Sequence, residues 1–486
     1  MHRPGCSRRA LFRAAAGVLA AGVGTVGCAS AQGRAGAPAS ISTAENVPFQ
    51  LYFPFPDTAS NQQLVQQFID EQFNAKHRGI RALWQPAGNM SAVVTEILAG
   101  SRGSPAPSLV SSCCGDWPVI SPFLEPLDQY FKKDNINVRS TWTPQQLAQF
   151  QSATGLLGVP EDAATQAYIY RQDILDGLGL SYPDPGWTYQ DATRIWAACT
   201  SDKGGQHRYG ATIPWNAGGP FPGLALLHGF GGGLVGPDGT TCILDSSGSV
   251  AAGDWAFPLI WSGVGTNGDG TPVPGLKTGQ VVFSQGADPS VLWCVENLTG
   301  GAKWDFLPFP AWPKGPATIF QSNFYGMNAF AANKELAWEL LRFAAVDTTW
   351  SRFYMHLTMA PPSQVSLLQE WETLLRSVAP VLKSKALRYW TEPALKGEGV
   401  DAFAFFKYAP AQVFPLISQT WGMIWDQKTS VVSGFKSIAR QVDALQVSAA
   451  AGPPPPTAAQ RLAANRAASK KFPASGPTVA TVAPGL

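Results

Sequence analysis

YIYRQDILDGLGLSYPDPGWTYQDATRIW, residues 168–196, is the stretch on which the fold turns. Alternating tyrosines at its start read as a strand. QDIL continues as a short helix, which Gly177 and Gly179 end. Pro183 and Pro185 fix φ and prevent the helix from resuming. Thr188 is placed to cap a second helix: its hydroxyl can accept the amide of Asp191, whose carboxylate also favours the positive helix end. Trp187 can pack back onto Ala192, and Ile195, Trp196 and Cys199 then face a core. Strand, helix, rigid turn and helix in so few residues is the grammar of an α/β protein. Most of the stretch is architecture. Tyr168 and Tyr170, near the end of a strand that feeds a helix, stand where such folds place ligands.

Working outward, the same alternation holds. FQLYFPF (49–55) reads as a strand, and residues 61–73 set Leu64, Val65, Phe68, Ile69 and Phe73 on one helical face. GIRALWQP is a strand, SAVVTEILAG a helix and PSLVSS a strand. KTGQVVFSQG and KWDFLPFP read as strands, and NKELAWELLRFAAV (333–346) as a helix. From 375 to 446 the pattern is largely helical. The expected class is α/β, with mostly parallel sheets covered on both faces and right-handed crossovers. A chain of 486 residues exceeds one ordinary core, so two lobes are expected.

The formal net charge of +2 is unevenly spread. Four arginines precede Cys28 and four basic residues follow Ala449, which leaves the body between them at −6. A nucleic-acid partner would require a basic stripe on that body, so none is expected. The segment SRRALFRAAAGVLAAGVGTVGC (7–28) has the basic start, short apolar run and small residues of an export signal. Arg8-Arg9 resembles a twin-arginine signal, and Cys28 after TVG resembles a lipidation site, with Thr25 where such boxes carry leucine. Cleavage after ASA (29–31) is the alternative. Either route leads to the periplasm or the outer face of the cytoplasmic membrane. Of the five cysteines beyond Cys28, Cys113, Cys114, Cys199, Cys242 and Cys294, at least one must stay unpaired within the chain. Residues past 449 are a low-complexity tail rich in proline and alanine.

Catalytic patterns are missing. His77, His207, His228 and His356 lie far apart in sequence, and there is no H-E-x-x-H, C-x-x-C, G-x-S-x-G or Walker loop. Gly231, Gly233 and Gly236 spell G-x-G-x-x-G, but no strand precedes them and a GPDG turn follows, so no dinucleotide site is expected. The reading is a binding protein without cofactor, metal or catalytic residues. Aromatic and short polar side chains instead gather in loops: Asp57 in PFPD, Asp116 and Trp117 in GDW, and Glu161 and Asp162 in PEDAATQAYIY. Trp215 and Asn216 follow in PWNAGGPF, Gln285 and Trp293 in QGADPSVLW, and Asn323, Phe324 and Tyr325 in QSNFYG. Trp84, in GIRALWQP, joins the set. Such side chains suit a sugar, whose C–H faces stack on rings while its hydroxyls meet carboxylates and amides.

Over roughly residues 47–446 the chain resembles the extracellular solute-binding proteins of ATP-driven (ABC) importers, the family that includes the maltose- and other sugar-binding proteins. LLGVPEDAATQAYIYRQDILDGLGLSYPDPGWTYQDATRIWAACT is similar to the family's run from a glycine-proline strand through a tyrosine strand to a T-W-[DE]-[ED] helix start. PSLVSSCCGDWPVISPFLEPLDQYF resembles its strand, ligand loop and L-x-P-L-D segment. The resemblance implies a two-lobe, type II periplasmic-binding-protein fold with hinge crossovers and ligand in the cleft. It implies a signal segment at 1–27, a tether at 28–46, a first lobe from 47–156 and 321–368, a second from 157–320 and 369–448, and a tail from 449. It implies a monomer that delivers a carbohydrate to membrane permease subunits, with contact to the membrane surface through a lipid on Cys28. By position, Asp57, Asp116, Trp117, Glu161 and Asp162 would surround the ligand. Ala164 stands where relatives often carry a further acid, and Arg171 and Gln172 replace the usual asparagine and lysine. A polyamine or glycerol phosphate in the same fold, or a periplasmic carbohydrate hydrolase using paired carboxylates, are the alternatives; Glu161, Asp162 and Asp116 would suit a cation.

Overall fold

In a computed structural model of the chain, the residues described are 45–51, 59–77, 80–86, 97, 107–112, 116–152, 154–215, 217, 219–220, 223–268, 275–285, 292, 295, 299–315, 318–331, 333–396, 399–401 and 406–451. The stretch 168–196 folds as its sequence dictates. It supplies the strand Tyr168–Arg171, the helix Gln172–Leu178 and the helix Tyr189–Cys199. Gly179 ends the first helix in the left-handed conformation, at φ 67°, which its missing Cβ permits. Thr188 and Asp191 form a reciprocal capping box on the second.

The strands, in chain order, are β1 (Glu45–Leu51), β2 (Ile80–Pro86), β3 (Leu109–Ser112), β4 (Gln151–Ser152), β5 (Gly155–Leu156), β6 (Val159–Pro160), β7 (Ala164–Thr165) and β8 (Tyr168–Arg171). They continue as β9 (Ser201–Lys203), β10 (Gln206–Ile213), β11 (Gly265–Asn267), β12 (Val281–Gln285), β13 (Trp304–Leu307), β14 (Thr318–Gln321), β15 (Phe324–Met327) and β16 (Gly399–Asp401).

One sheet has the order β2-β1-β3-β15-β6. Its first three strands are parallel; β15 runs antiparallel between β3 and β6. Val65, Ile69 and Phe73 of the helical face seen in the sequence are buried in its core, beside Trp338 and Trp350. A second sheet has the order β11-β10-β12-β8-β13, again with three parallel strands, β11, β10 and β12, extended by antiparallel ones. The sheets are therefore mixed where mostly parallel ones were expected: β15, returning late in the chain, and β8, which precedes the parallel strands of its sheet, both pair in the opposite sense.

Both faces of the second sheet are covered. Tyr168 and Tyr170 point into one cluster with Trp187, Trp196 and Phe283; Ile169 points into another with Trp304, Phe306, Trp371 and Trp390. The helix Tyr189–Cys199 lies so close to β10 that a Cβ on Gly210 would sit 2.2 Å from the Trp196 carbonyl oxygen. Only glycine fits that approach.

A third, small sheet, β16-β14-β7, lies where the chain passes between the larger two. The passages are the joint between β6 and β7, the joint between β14 and β15, and the segment Pro361–Ser363. They touch one another. The Ala163 amide donates to the Pro361 carbonyl at 3.1 Å, and the Ser363 hydroxyl donates to the Pro160 carbonyl at 2.8 Å. This is a two-lobe α/β architecture with hinge crossovers. Among the described residues, no helix is long and apolar enough to cross a membrane.

Candidate functional site

Three places gather polar or aromatic side chains at strand ends. The first is the C-terminal end of β3. The Ser112 hydroxyl donates to Asp116 Oδ2 at 2.6 Å. Trp117 follows, half-buried, with its ring held edge-on by Phe150 at 5.1 Å and Phe324 at 5.0 Å. Phe324 itself is fully buried in the core.

The second place is the crossing between the lobes. Glu161 and Asp162 are both buried, and they point to different partners. Ser111 donates its hydroxyl to Glu161 Oε2, and the hydroxyls of Tyr325 and Tyr354 flank the same carboxyl. Burial, and then the neighbouring Asp162, push the Glu161 carboxyl well above the usual carboxylate range. The same burial, with Glu161 next to them, raises the Tyr325 and Tyr354 phenols. Asp162 accepts the Asn323 backbone amide at 2.7 Å and the Asn323 side-chain amide at 2.8 Å. Its own carbonyl accepts the Ser322 hydroxyl at 2.5 Å.

The third place is the C-terminal end of β10 and β12. The Gln285 amide donates to Thr212 Oγ1 at 2.6 Å, and its side-chain NH₂ donates to Gln166 Oε1. Gln285 Oε1 is buried, and among the described residues it has no hydrogen-bond partner. Trp215 is fully buried, its indole N–H donating to Gly223 and its ring packed on Phe257 and Trp421.

The structure therefore brings Glu161, Asp162, Asn323 and Tyr325 into one network, and Trp117 onto Phe324. It keeps the tyrosines of β8 elsewhere. Tyr168 is fully buried, donates to the Thr212 carbonyl at 3.1 Å, and has its phenol raised by that burial. Tyr170 stacks on Phe283 at 5.4 Å, and burial pushes its phenol up to about 12. Trp84 lies in the core of the first lobe, its backbone amide held by Gln66 Oε1. Asp57, Asn216, Trp293 and Cys28 lie outside the described residues. Ser111, Ser112 and Gln166 were not singled out from the sequence. The serines end a strand in front of the GDW loop, and that position was their available signal.

Two departures from the family's usual pattern acquire a structural role. The Arg171 guanidinium makes two hydrogen bonds to Asp173 and also donates to the carbonyls of Leu276 and Lys277. Gln172 reaches the Tyr170 hydroxyl at 3.3 Å. Among the described residues, no group of three His, Cys, Asp or Glu side chains could hold a metal ion.

Comparison with curated proteins gives no match. Solved structures do resemble the chain. The sugar-binding protein MalE from Xanthomonas citri superposes with a TM-score of 0.65 at 16% identity, covering 83% of this chain and 98% of that one. The cyclic alpha-maltosyl-1,6-maltose binding protein from Arthrobacter globiformis gives 0.64 at 16% identity, covering 83% and 99%. UgpB from Mycobacterium tuberculosis, solved in complex with glycerophosphocholine, gives 0.63 at 16% identity, covering 82% and 98%. These likenesses establish the fold. The family profile described as bacterial extracellular solute-binding protein matches residues 56–348, more than half of the chain. With that match and the two-lobe fold together, the chain belongs to the bacterial extracellular solute-binding proteins.

Proposed function

We propose that this protein captures a sugar or oligosaccharide between its lobes and presents it to the permease subunits of an ABC importer, without breaking a bond in it. The observation that carries the reading is the end of β3. There a half-buried Trp117 is braced by Phe150 and Phe324 beside the Asp116 carboxylate and the Ser112 hydroxyl. A ring for C–H faces next to acceptors for hydroxyls is the pairing a pyranose requires. Gln166 and Gln285 supply amides on the other lobe, and Asp57, Asn216 and Trp293 belong to the same loops by sequence. The names of the solved neighbours, which bind sugars and a glycerophosphodiester, support the class of ligand.

In this reading the lobes are 47–156 with 321–368 and 157–320 with 369–448. The segment before residue 28 directs export, and Cys28 either carries a lipid or is lost with the leader. The mature protein acts as a monomer at the outer face of the membrane. The cation alternative loses its main support, because Glu161 and Asp162 are buried and already engaged by Ser111 and Asn323. A glycerophosphodiester remains the second reading, on the likeness to UgpB.

The test is calorimetry of the purified protein against mono- and oligosaccharides, glycerophosphocholine and spermidine, with product analysis of each mixture. Saturable heat with a sugar and an unchanged sugar afterwards is the expected result. Binding of spermidine alone, or cleavage of the sugar, would overturn the reading.

A further inference from the structure

The three segments that pass between the lobes share one residue. Asp162 fastens the second segment through both carboxylate oxygens, one to the Asn323 amide N–H and one to the Asn323 side-chain N–H. Its carbonyl takes the Ser322 hydroxyl of that same segment. Its backbone also pairs with Pro362 of the third segment in an isolated antiparallel bridge. One position in the first crossing is thus tied to both of the others. Its neighbours on either side extend the tie: the Glu161 amide donates to the Asn323 carbonyl at 2.8 Å, and the Ala163 amide donates to Pro361.

We propose that Asp162 and Asn323 are hinge-positioning residues, a rivet that sets how far the lobes stand apart and how readily they close, and are not ligand contacts. The geometry favours this over a ligand role. Both oxygens of the acid already meet well-aligned donors at 2.7 and 2.8 Å, and the side chain is buried. Burial, with a donor of the second segment on each oxygen, leaves little of this carboxylate open to a ligand hydroxyl. A two-lobe binding protein responds to ligand only through the difference in free energy between its open and closed arrangements. Bonds at the crossing enter that difference directly, whatever the ligand is.

Glu161 gives the rivet a chemical signature. It lies beside Asp162 and is faced by Ser111 from β3, Tyr325 from β15 and Tyr354 from the helix Thr348–Thr358. Ionisation of Glu161, as pH rises through its raised value, puts a second charge beside the Asp162 carboxylate at the crossing, and the rivet weakens.

The experiment uses the full exported chain, wild type and the variants Asn323→Ala, Asp162→Asn and Glu161→Gln. It measures small-angle scattering without ligand, across neutral and alkaline pH, then melting temperature, then affinity for whichever sugar the calorimetric screen identifies. Asn323→Ala and Asp162→Asn are expected to shift or broaden the ligand-free lobe separation and to change sugar affinity by about tenfold, the worth of a hydrogen bond to a charged group. Wild type is expected to change its scattering as pH rises through the raised Glu161 value, and Glu161→Gln to remove that change.

A lower melting temperature with unchanged scattering would mark the contact as local packing and overturn the proposal. Lost affinity with unchanged scattering would mark Asp162 as a ligand contact and overturn it as well. The inference rests on the two-lobe binding reading, but its scattering arm needs no ligand. If no sugar binds at all, the proposed function fails while the rivet is still decided.

Discussion

The C-terminal end of β3 and the C-terminal ends of β10 and β12 occupy equivalent positions in the two lobes, and they are built differently. At β3 the Asp116 carboxyl and a half-buried Trp117 stand together, with a serine hydroxyl already turned toward the acid. At β10 and β12 the polar groups are amides tied to each other, Gln285 to Gln166, and Trp215 is sealed among Phe257 and Trp421. The difference lies in what covers the strand ends. Trp117 meets Phe150 and Phe324 and stays half-buried, whereas the helices Ser247–Trp261 and Pro410–Trp425 close over Trp215 through Phe257 and Trp421. The lesson is that non-local packing decides whether a tryptophan at a strand end stays accessible or joins the core: Trp117 is left half-buried in one lobe, and Trp215 is fully buried in the other.

The comparison can be broken first at its strongest point. Trp215→Ala should cost about 3–5 kcal/mol of stability, because it empties a closed, ring-lined site. Urea denaturation measures this directly. A loss below about 1 kcal/mol would show the ring to be dispensable to the core and return it to the site. Trp117→Ala should act on the other quantity. Sugar affinity should fall by about 1–3 kcal/mol with the melting temperature nearly unchanged, as read by calorimetry beside a thermal melt. If stability falls and affinity does not, the two strand ends are alike after all.

A third change sharpens the contrast through charge. The folded-state value of Glu161 lies above its unfolded one, so the stability it contributes is fully present below the usual carboxylate range and is lost as pH rises from there through the raised value. Glu161→Gln should flatten the fall in stability between acid and neutral pH, seen in denaturation midpoints taken across that range.

Away from both strand ends, Thr188→Ala removes the capping box of the helix Tyr189–Cys199 and should cost about 1 kcal/mol. Smallest of all is His207. Its Nδ1 meets Asp202 and its Nε2 the Gly263 carbonyl, both at 2.7 Å, and these two acceptors raise its pKa. Its contribution is present below the ordinary imidazole range and lost as pH rises through the raised value. His207→Gln should therefore lower the melting temperature at acid pH and match wild type at alkaline pH.

How much of this was legible in the sequence depended on the range of the interactions. The Thr188 cap, the Gly179 stop and the buried face of the helix Ala59–Gln72 could be read because every partner lies within a few residues. The site was harder. Tyr168 and Tyr170 looked like cleft residues because a strand end feeds a helix there. Their burial comes from β12 and β13, which pair on either side of β8 and arrive more than a hundred residues later. Glu161 and Asp162 read as a pair of acids for a ligand. Their opposite orientations follow from the change of sheet between β6 and β7, and the partners, Ser111 and Asn323, come from distant segments. For Asp116 the partner, Ser112, is local, whereas the rings that brace Trp117, Phe150 and Phe324, come from distant segments.

Arg171 has a consequence for how this chain can change over evolutionary time. Its guanidinium answers a carboxylate and two carbonyls at once, joining the helix after β8 to the residues that lead into β12. Replacing it alone with the asparagine common at this position would strip four donated bonds in a single step and leave Asp173 and the carbonyls of Leu276 and Lys277 unanswered. The route back toward the common pattern therefore passes through compensating changes near residues 276 and 277 first. A single substitution at this position thus disturbs three acceptors at once, and its cost would not add simply to that of changes near residues 276 and 277.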